Sequence, residues 1–428
     1  MKHIAIIGAG VTGTTTAYAL LKRGYRVTVF ERHRYAGMET SFANGGQLSA
    51  SNAEVWNSWA TVFKGIKWML KKDAPLLVNP KPSWHKYSWM AEFIGQIPRY
   101  RAHTVETVRL AIASRRILDE TAATEGIDFH REPRGILHIY RDRAGFEAAA
   151  RVTKLYAEGG LERRAVTPED MRAIEPALQG DFFGGFFTES DYTGDIHAFT
   201  RGLADACARR GALFHYDAVV RRLAHSEGGI DVTWHAEGAA TEKTERFGGI
   251  VICTGVSSRH FAAQLGDRLN IYPVKGYSIT VPLQDAESRA GAPWVSLLDD
   301  GAKIVSSRLG ADRFRVAGTA EFNGFNRDIR ADRIRPLVDW TRRLFPRVET
   351  SAAIPWAGLR PMMPSMLPRV GAGAKPGVFY NTGHGHLGWT LSAVTAETVA
   401  DCVVARLAPD GNAEGVMTPP APRQQAAG

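Results

Sequence analysis

The sequence predicts an α/β protein of two domains (α+β in its second half): a Rossmann-type dinucleotide-binding domain, and a domain built on a mostly antiparallel sheet. Three observations carry this. The chain opens as strand, glycine-rich turn, helix and strand. Short strand patterns then alternate between residues 212 and 318 with little helix between them, as an antiparallel sheet requires. At 428 residues, 44% hydrophobic and 23% charged, the chain is long enough for two cores of ordinary soluble composition.

In order, residues 3–7 read as a short apolar strand, 11–23 carry helical spacing, and 26–31 hold Val27, Val29 and Phe30 as a buried strand. Residues 35–52 are small and polar, rich in Gly, Ser and Asn, and follow neither period, so they read as a long functional loop. Helices are expected over 55–72, 103–125, 144–158, 198–210, 331–345 and 388–407. Strands are expected over 135–140, 212–216, 230–234, 249–253, 271–281, 302–307 and 314–318. After Pro409 the composition turns to Pro, Gly, Ala and Gln, which reads as a mobile tail over 409–428.

Composition narrows the function classes. The net charge of +9 admits nucleic acid, an anionic membrane or an anionic substrate as partner, but the arginines are scattered, which argues against a nucleic-acid groove. Cys207, Cys253 and Cys402 are far apart and show no CxxC spacing, so neither a disulfide framework nor a metal site is expected. The first residues read directly as a strand, without the pattern of an export leader, and no apolar run is long enough to span a bilayer, so a cytoplasmic location is expected.

Gly8-Ala9-Gly10-Val11-Thr12-Gly13 is a GxGxxG between strand and helix, with Glu31 eighteen residues after Gly13 at the end of the next strand. Gly8 permits the tight turn, Gly10 lets a pyrophosphate approach the backbone, and Gly13 allows helix to pack on strand. The helix N-terminus offers N–H groups and a positive dipole end to phosphates. Glu31 suits a ribose diol, although Arg32 beside it weakens the exclusion of a 2′-phosphate. This pattern leaves FAD and NAD open. Two later stretches favour a flavin: the strand 249–253 ending at Thr254-Gly255, and Asn381 to Thr390, a glycine-rich helix start whose N-terminus can stabilise charge on an isoalloxazine.

The loop Glu39 to Ser49, the stretch Gly65 to Met69, Tyr272-Pro273-Val274-Lys275-Gly276-Tyr277-Ser278, Trp356 to Met362, and Asn381 to Thr390 resemble the small subunit of bacterial D-amino-acid dehydrogenase, in that order along the chain. More broadly the chain resembles the D-amino-acid oxidase superfamily. The resemblance implies a discontinuous FAD-binding domain (1–60, 150–175, 195–268 and 350–408) and a substrate domain (61–149, 176–194 and 269–349) whose sheet covers the flavin. It places Ser41, Asn44, Gly45, Gly46 and Gln47 beside the pyrophosphate and flavin, Val219 at the adenine, Thr254 and Gly255 at the cofactor's middle, and Gly383, His384, Gly385, Leu387, Gly388, Trp389 and Thr390 at the flavin ring. No cysteine lies in the ring-facing segments, so FAD is expected to be non-covalent.

Arg360 matches the superfamily's substrate-carboxylate arginine, and a guanidinium offers carboxylate a planar two-pronged match. Tyr277 is a second candidate for that carboxylate. The implied reaction is oxidation of a D-amino acid to an imino acid, hydrolysed to a 2-oxo acid and ammonia, with electrons passed to a quinone or another acceptor. The alternative is an oxygen-using oxidase of glycine, sarcosine or a D-imino acid such as D-proline or D-hydroxyproline. An NAD-dependent dehydrogenase and a non-catalytic flavin subunit are further readings. The sequence departs from the family at Pro364-Ser365-Met366-Leu367-Pro368 and at Ser51 to Trp56, so substrate identity does not follow from the resemblance.

In the predicted helix over 55–72, Phe63, Ile66 and Leu70 share one face, and Lys64, Lys67 and Lys71 another. That arrangement suits peripheral contact with the inner face of an anionic membrane.

Overall fold

The computed structural model describes residues 2–69, 75–239 and 241–407. His3–Ile7 lies inside a six-stranded sheet ordered Arg369–Ala372, Val378–Thr382, Gly249–Ile252, His3–Ile7, Arg26–Phe30, Leu213–His215. The strands run parallel except Arg369–Ala372. Side chains alternate across a strand. Ile4, Ile6, Val27 and Val29 therefore pack into the helices Val11–Lys22, Ile196–Arg209 and Gly388–Arg406, while Ala5, Ile7, Ile250 and Ile252 pack into a second layer on the other face. That layer is an antiparallel sheet of Ala218–Ser226, Gly229–Ala236 and Lys243–Phe247. Burial on both faces is why the parallel strands read as unbroken apolar runs.

The other large sheet has nine strands, led from one edge by Ile354–Met362, Tyr272–Pro282, Arg313–Phe322 and Ile304–Arg308. Its pairings are antiparallel except Ser296–Asp299 with Ile136–Tyr140 and Leu76–Val78 with Arg313–Phe322. On one face Tyr277, Ile279, Val316 and Phe314 form a core with Leu337 and Trp340 of the helix Ala331–Leu344. The opposite face meets the loop after residue 40, where the Ser278 hydroxyl donates to the Ala43 carbonyl at 2.8 Å.

Most expected elements occur within a few residues of their expected bounds. The helix expected over 55–72 begins at Trp59, and residues 70–74, with Leu70 and Lys71, lie outside the described residues, as does the expected tail 409–428. The strand Ile354–Met362 is absent from the expected elements, and it holds Pro355, Gly358 and Pro361, residues that are unfavourable inside a sheet. It is an edge strand paired only with Tyr272–Pro282, and an edge leaves N–H positions that proline can occupy. The range 350–408, expected wholly in the FAD-binding domain, is therefore divided between the two large sheets, and Arg164–Val166 of the range 150–175 joins the nine-stranded sheet.

Candidate active site

A cavity of about 1700 Å³ is lined by residues from both large sheets and the loops between them. At one end lies the glycine turn. Gly8 has φ +99°, and a Cβ there would come within 2.9 Å of the Cys253 carbonyl oxygen. Gly10 is different: a Cβ would meet only the Ser41 hydroxyl, at 3.6 Å, so its open side is the cavity. Val11 and Thr12 also line the cavity, as the first turn of the helix. Gly13 does not; a Cβ there would overlap the Gly8 carbonyl, so this glycine serves helix packing.

Glu31 closes this end from the neighbouring strand. Its carboxylate accepts from the Ala9 N–H at 2.7 Å and the His33 N–H at 3.0 Å, and burial raises its pKa against those two bonds. Val219 lines the same end, beside Ala218, whose N–H donates to the Glu31 carbonyl at 2.8 Å. Arg32 pairs with Glu39, which also binds His33 and Arg327. Burial works against the Glu39 charge, but these partners bring its pKa down to about 2.

The loop after residue 40 forms the middle wall. The Ser41 hydroxyl accepts from the Val11 N–H at 3.1 Å, tying the loop to the helix start. Asn44 accepts from the Gly46 N–H at 2.9 Å, and its carbonyl is held by Arg315 at 3.1 Å. Gly45 lines the cavity, with its carbonyl bound by Ser307 at 2.7 Å. Gly46 does not line it. With φ +71° it turns the chain, and a Cβ would press within 3.1 Å of the Ser307 side chain, so it belongs to the seam with the nine-stranded sheet. Gln47 donates to Ser296 at 2.8 Å and Leu297 at 3.0 Å, leaving its own Oε1 buried without a partner.

Opposite this wall, hydroxyls of Thr254, Ser258 and Thr382 form a chain of 3.0 and 2.7 Å bonds joining the turn at Gly255 (φ +54°) to the strand Val378–Thr382. Past that strand, Gly383, Gly385, Leu387, Gly388, Trp389 and Thr390 line the cavity where the final helix begins. His384 is buried, bonded to Thr395 at 2.9 Å, and burial lowers its pKa to about 3. His386 stacks on Trp56 with ring centroids 4.7 Å apart, and its Nε2 lies 3.3 Å from the Asn52 carbonyl. Burial, with Arg360 and Lys303 nearby, lowers the His386 pKa to about 4. Both imidazoles are neutral at pH 7.

Arg360 projects from the edge strand. Its Nη1 donates to the Thr319 carbonyl at 3.0 Å, and among the described residues no carboxylate pairs with it. Burial lowers its pKa to about 10, so it is charged at neutral pH. A Cβ on Gly276 would overlap the guanidinium, which lies directly over that glycine. Tyr277, the next residue, is turned the other way by the pleat. It borders the cavity, but its hydroxyl donates to Glu321 at 2.6 Å and its ring packs in the core under Ala331–Leu344. The expectation that Tyr277 contacts the substrate carboxylate is thus corrected: adjacent strand residues cannot both face Arg360, and the glycine does. A mid-strand glycine marks a close approach, and that signal was available at Gly276. Thr319 (φ +59°), Glu54, Arg163, Asp300 and Lys303, which also line the cavity, carry no signal in sequence.

The residues fit FAD. A cavity of about 1700 Å³ exceeds the roughly 300–1,000 Å³ of ordinary small-ligand sites, leaving room for a dinucleotide and a substrate. Open space faces Gly10 at the helix N-terminus, and Gln47 Oε1, Trp389 Nε1 and Thr319 Oγ1 are buried along the cavity wall without partners. The first helical turn and Ser41 would hold the pyrophosphate, and the start of the final helix would face the ring. When bound, the flavin supplies two-electron oxidation.

Comparison with known proteins agrees. The family described as FAD dependent oxidoreductase matches residues 3–402. A D-amino acid dehydrogenase 3 of Mesorhizobium japonicum is 63% identical over 407 residues, covering 95% of this chain and 98% of the relative. A D-amino acid dehydrogenase of Paramagnetospirillum magneticum is 43% identical, covering 94% and 95%. Among solved structures, glycine oxidase from Geobacillus kaustophilus superposes with TM-score 0.74 at 20% identity, covering 97% of this chain and all of the other. L-proline dehydrogenase from P. horikoshii superposes with TM-score 0.72 at 17% identity, covering 94% and 93%. At those identities the two structures are evidence of fold alone. With the family match spanning nearly the whole chain and relatives at 63% and 43% identity, the chain belongs to the FAD-dependent oxidoreductase family, in its D-amino acid dehydrogenase branch, and is an FAD-binding oxidoreductase.

Proposed function

We propose that the protein oxidises a D-amino acid at Cα, the imino acid then hydrolysing to a 2-oxo acid and ammonia, and that it passes the electrons to a quinone-type acceptor. The observation that carries this is Arg360: a half-buried guanidinium with no carboxylate partner among the described residues, facing the cavity that also holds the glycine turn. The substrate carboxylate completes that pair and orients Cα. Neutral His386, stacked on Trp56, adds no charge of its own beside Arg360. The names of the two relatives support D-amino acids as substrates. FAD is held non-covalently: the cysteine that lines the cavity, Cys253, sits at the glycine turn, and burial pushes its thiol up to about 12.

Anaerobic flavin bleaching against D-amino acids, L-amino acids and N-alkyl glycines tests the substrate. Bleaching by D-amino acids is expected. Bleaching confined to glycine or sarcosine, with rapid oxygen uptake, would instead establish the oxidase reading.

A quinone acceptor resides in the bilayer, and the helix Trp59–Met69 offers a contact with it. Trp59 (54% exposed) and Phe63 (66% exposed) stand on its outer side with exposed Lys67, and the two rings are 6.1 Å apart. Lys64, also exposed, stands at the cavity mouth beside that face, with its ammonium 5.0 Å from the centre of the Trp68 ring. No helix of the described residues is long and apolar enough to cross a membrane, so contact would be peripheral, with aromatic rings at headgroup level. Trp59→Ser, Phe63→Ser and Lys67→Glu together should abolish sedimentation with anionic liposomes, with flavin content and dye-linked turnover unchanged. Absence of sedimentation by the unmodified protein at low salt defeats the membrane reading.

A further inference from the structure

We propose that the cavity wall beyond Arg360 reads a hydrogen-bonding group, a hydroxyl or an amide, on the side chain or ring of the substrate, with Glu54 as its acceptor. This rests on the reading of the protein as a D-amino acid oxidising enzyme and names its substrate class.

Five charged side chains border the cavity here: Glu54, Lys64, Arg163, Asp300 and Lys303. They are tied in space to Arg360. The Thr319 carbonyl that accepts from Arg360 follows Gly318, where a Cβ would come within 2.8 Å of the Lys303 carbonyl. From the other side, His386 feels both Arg360 and Lys303, and it stacks on Trp56, two residues after Glu54. The anchor for a carboxylate and the five charges therefore belong to one stretch of wall.

Within the five, one ion pair closes, between Lys303 and Asp300. Glu54 accepts from the Tyr100 hydroxyl at 2.5 Å through one oxygen, and among the described residues no lysine or arginine pairs with it. Burial raises its pKa, although Lys303 and Arg163 oppose this. Arg163 donates to the Tyr140 hydroxyl at 3.0 Å and lies over the Phe186 ring at 4.6 Å, with its Nε buried and without a partner. Lys64 faces the Trp68 ring. The wall thus presents an acceptor and several donors whose bonding capacity is incomplete.

The signs of charge select among substrates. Three cations and two carboxylates nearly balance, so a fully charged side chain of either sign meets like charge. An aliphatic side chain would strip water from Glu54 and Arg163 and return no bond. A hydroxyl or amide donates to Glu54 and accepts from a cation at once. Sites built to bond a polar group reject the analogue lacking it far more strongly than apolar pockets reject an added one.

The test uses the FAD-loaded protein with a dye acceptor and matched pairs: D-threonine against D-valine, D-asparagine against D-leucine, and cis-4-hydroxy-D-proline against D-proline. We expect kcat/KM at least tenfold higher for the polar member of one or more pairs, and collapse of that ratio in Glu54→Leu with FAD retained. Glu54→Met, which also lacks a strong acceptor, provides the ratio if Glu54→Leu does not fold. Ratios near one or favouring the apolar member, or D-aspartate or D-lysine as best substrate, overturn the inference while leaving D-amino acid oxidation standing. An equal fall for both members of a pair in the variant overturns the assignment to Glu54. Bleaching by no D-amino or D-imino acid overturns the functional reading and this inference with it.

Discussion

Gly10→Val is expected to give a folded, colourless protein. Gly10 has φ −69°, which any residue adopts, and its Cβ direction meets nothing nearer than the Ser41 hydroxyl at 3.6 Å. The free protein therefore accommodates the side chain. The isopropyl group then occupies the space through which a pyrophosphate must approach the helix N-terminus, so cofactor is lost while fold is kept. Gly13→Val is the contrasting control. Its Cβ overlaps the Gly8 carbonyl, backbone that cannot move aside, so this variant should fail to fold rather than fold empty. Flavin absorbance of the purified proteins, with a thermal melt of each, separates the two outcomes. A folded Gly10→Val protein with stoichiometric FAD would remove the glycine turn as the cofactor cradle.

Arg360→Met should lower kcat/KM for the preferred amino acid by roughly 30- to 5,000-fold with FAD content unchanged, corresponding to about 2–5 kcal/mol for truncating one member of a buried charged pair. Methionine retains much of the volume over Gly276 but neither the charge nor the donors. The substrate carboxylate would then enter a buried wall with no counter-charge, where desolvation is not offset. The loss should appear chiefly in KM if the arginine only anchors, and also in kcat if anchoring aligns Cα. Steady-state dye reduction across a substrate series measures both. Kinetics equal to the unmodified protein would sink the assignment of Arg360.

The liposome and matched-pair experiments address different residues from these two. Trp59, Phe63 and Lys67 lie outside the cavity lining, so a membrane defect need not disturb chemistry. Glu54 lies in the lining but is not part of the glycine turn, so its effect should fall on substrate choice rather than on FAD content.

The sequence by itself determined the nucleotide half. Strand, glycine turn, helix and Glu31 are close together in the chain, and each glycine there answers a local backbone need, so their joint pattern is legible without the rest of the molecule. The resemblance in the loops then extended the reading to Arg360 and the start of the final helix. What sequence could not decide depends on pairing between distant segments. No strand is expected over 354–362, and with Pro355 and Pro361 inside it an edge position beside Tyr272–Pro282 is what makes that strand possible. Tyr277 is a candidate for the substrate carboxylate in sequence, but the pleat turns it to Glu321 and leaves Gly276 under Arg360. Gly46 resembles a cofactor glycine in sequence, yet the folded chain uses it to turn against the Ser307 side chain. Lys64 shares a helix with Lys67 and both are exposed, but only Lys64 also borders the cavity. Glu54, Arg163 and the Asp300–Lys303 pair lie in three separate segments, and no local pattern marks them as belonging together. They become one wall only because the sheet and the helices around it bring those segments together, and the electrostatic interactions that give each its role act through space rather than along the chain.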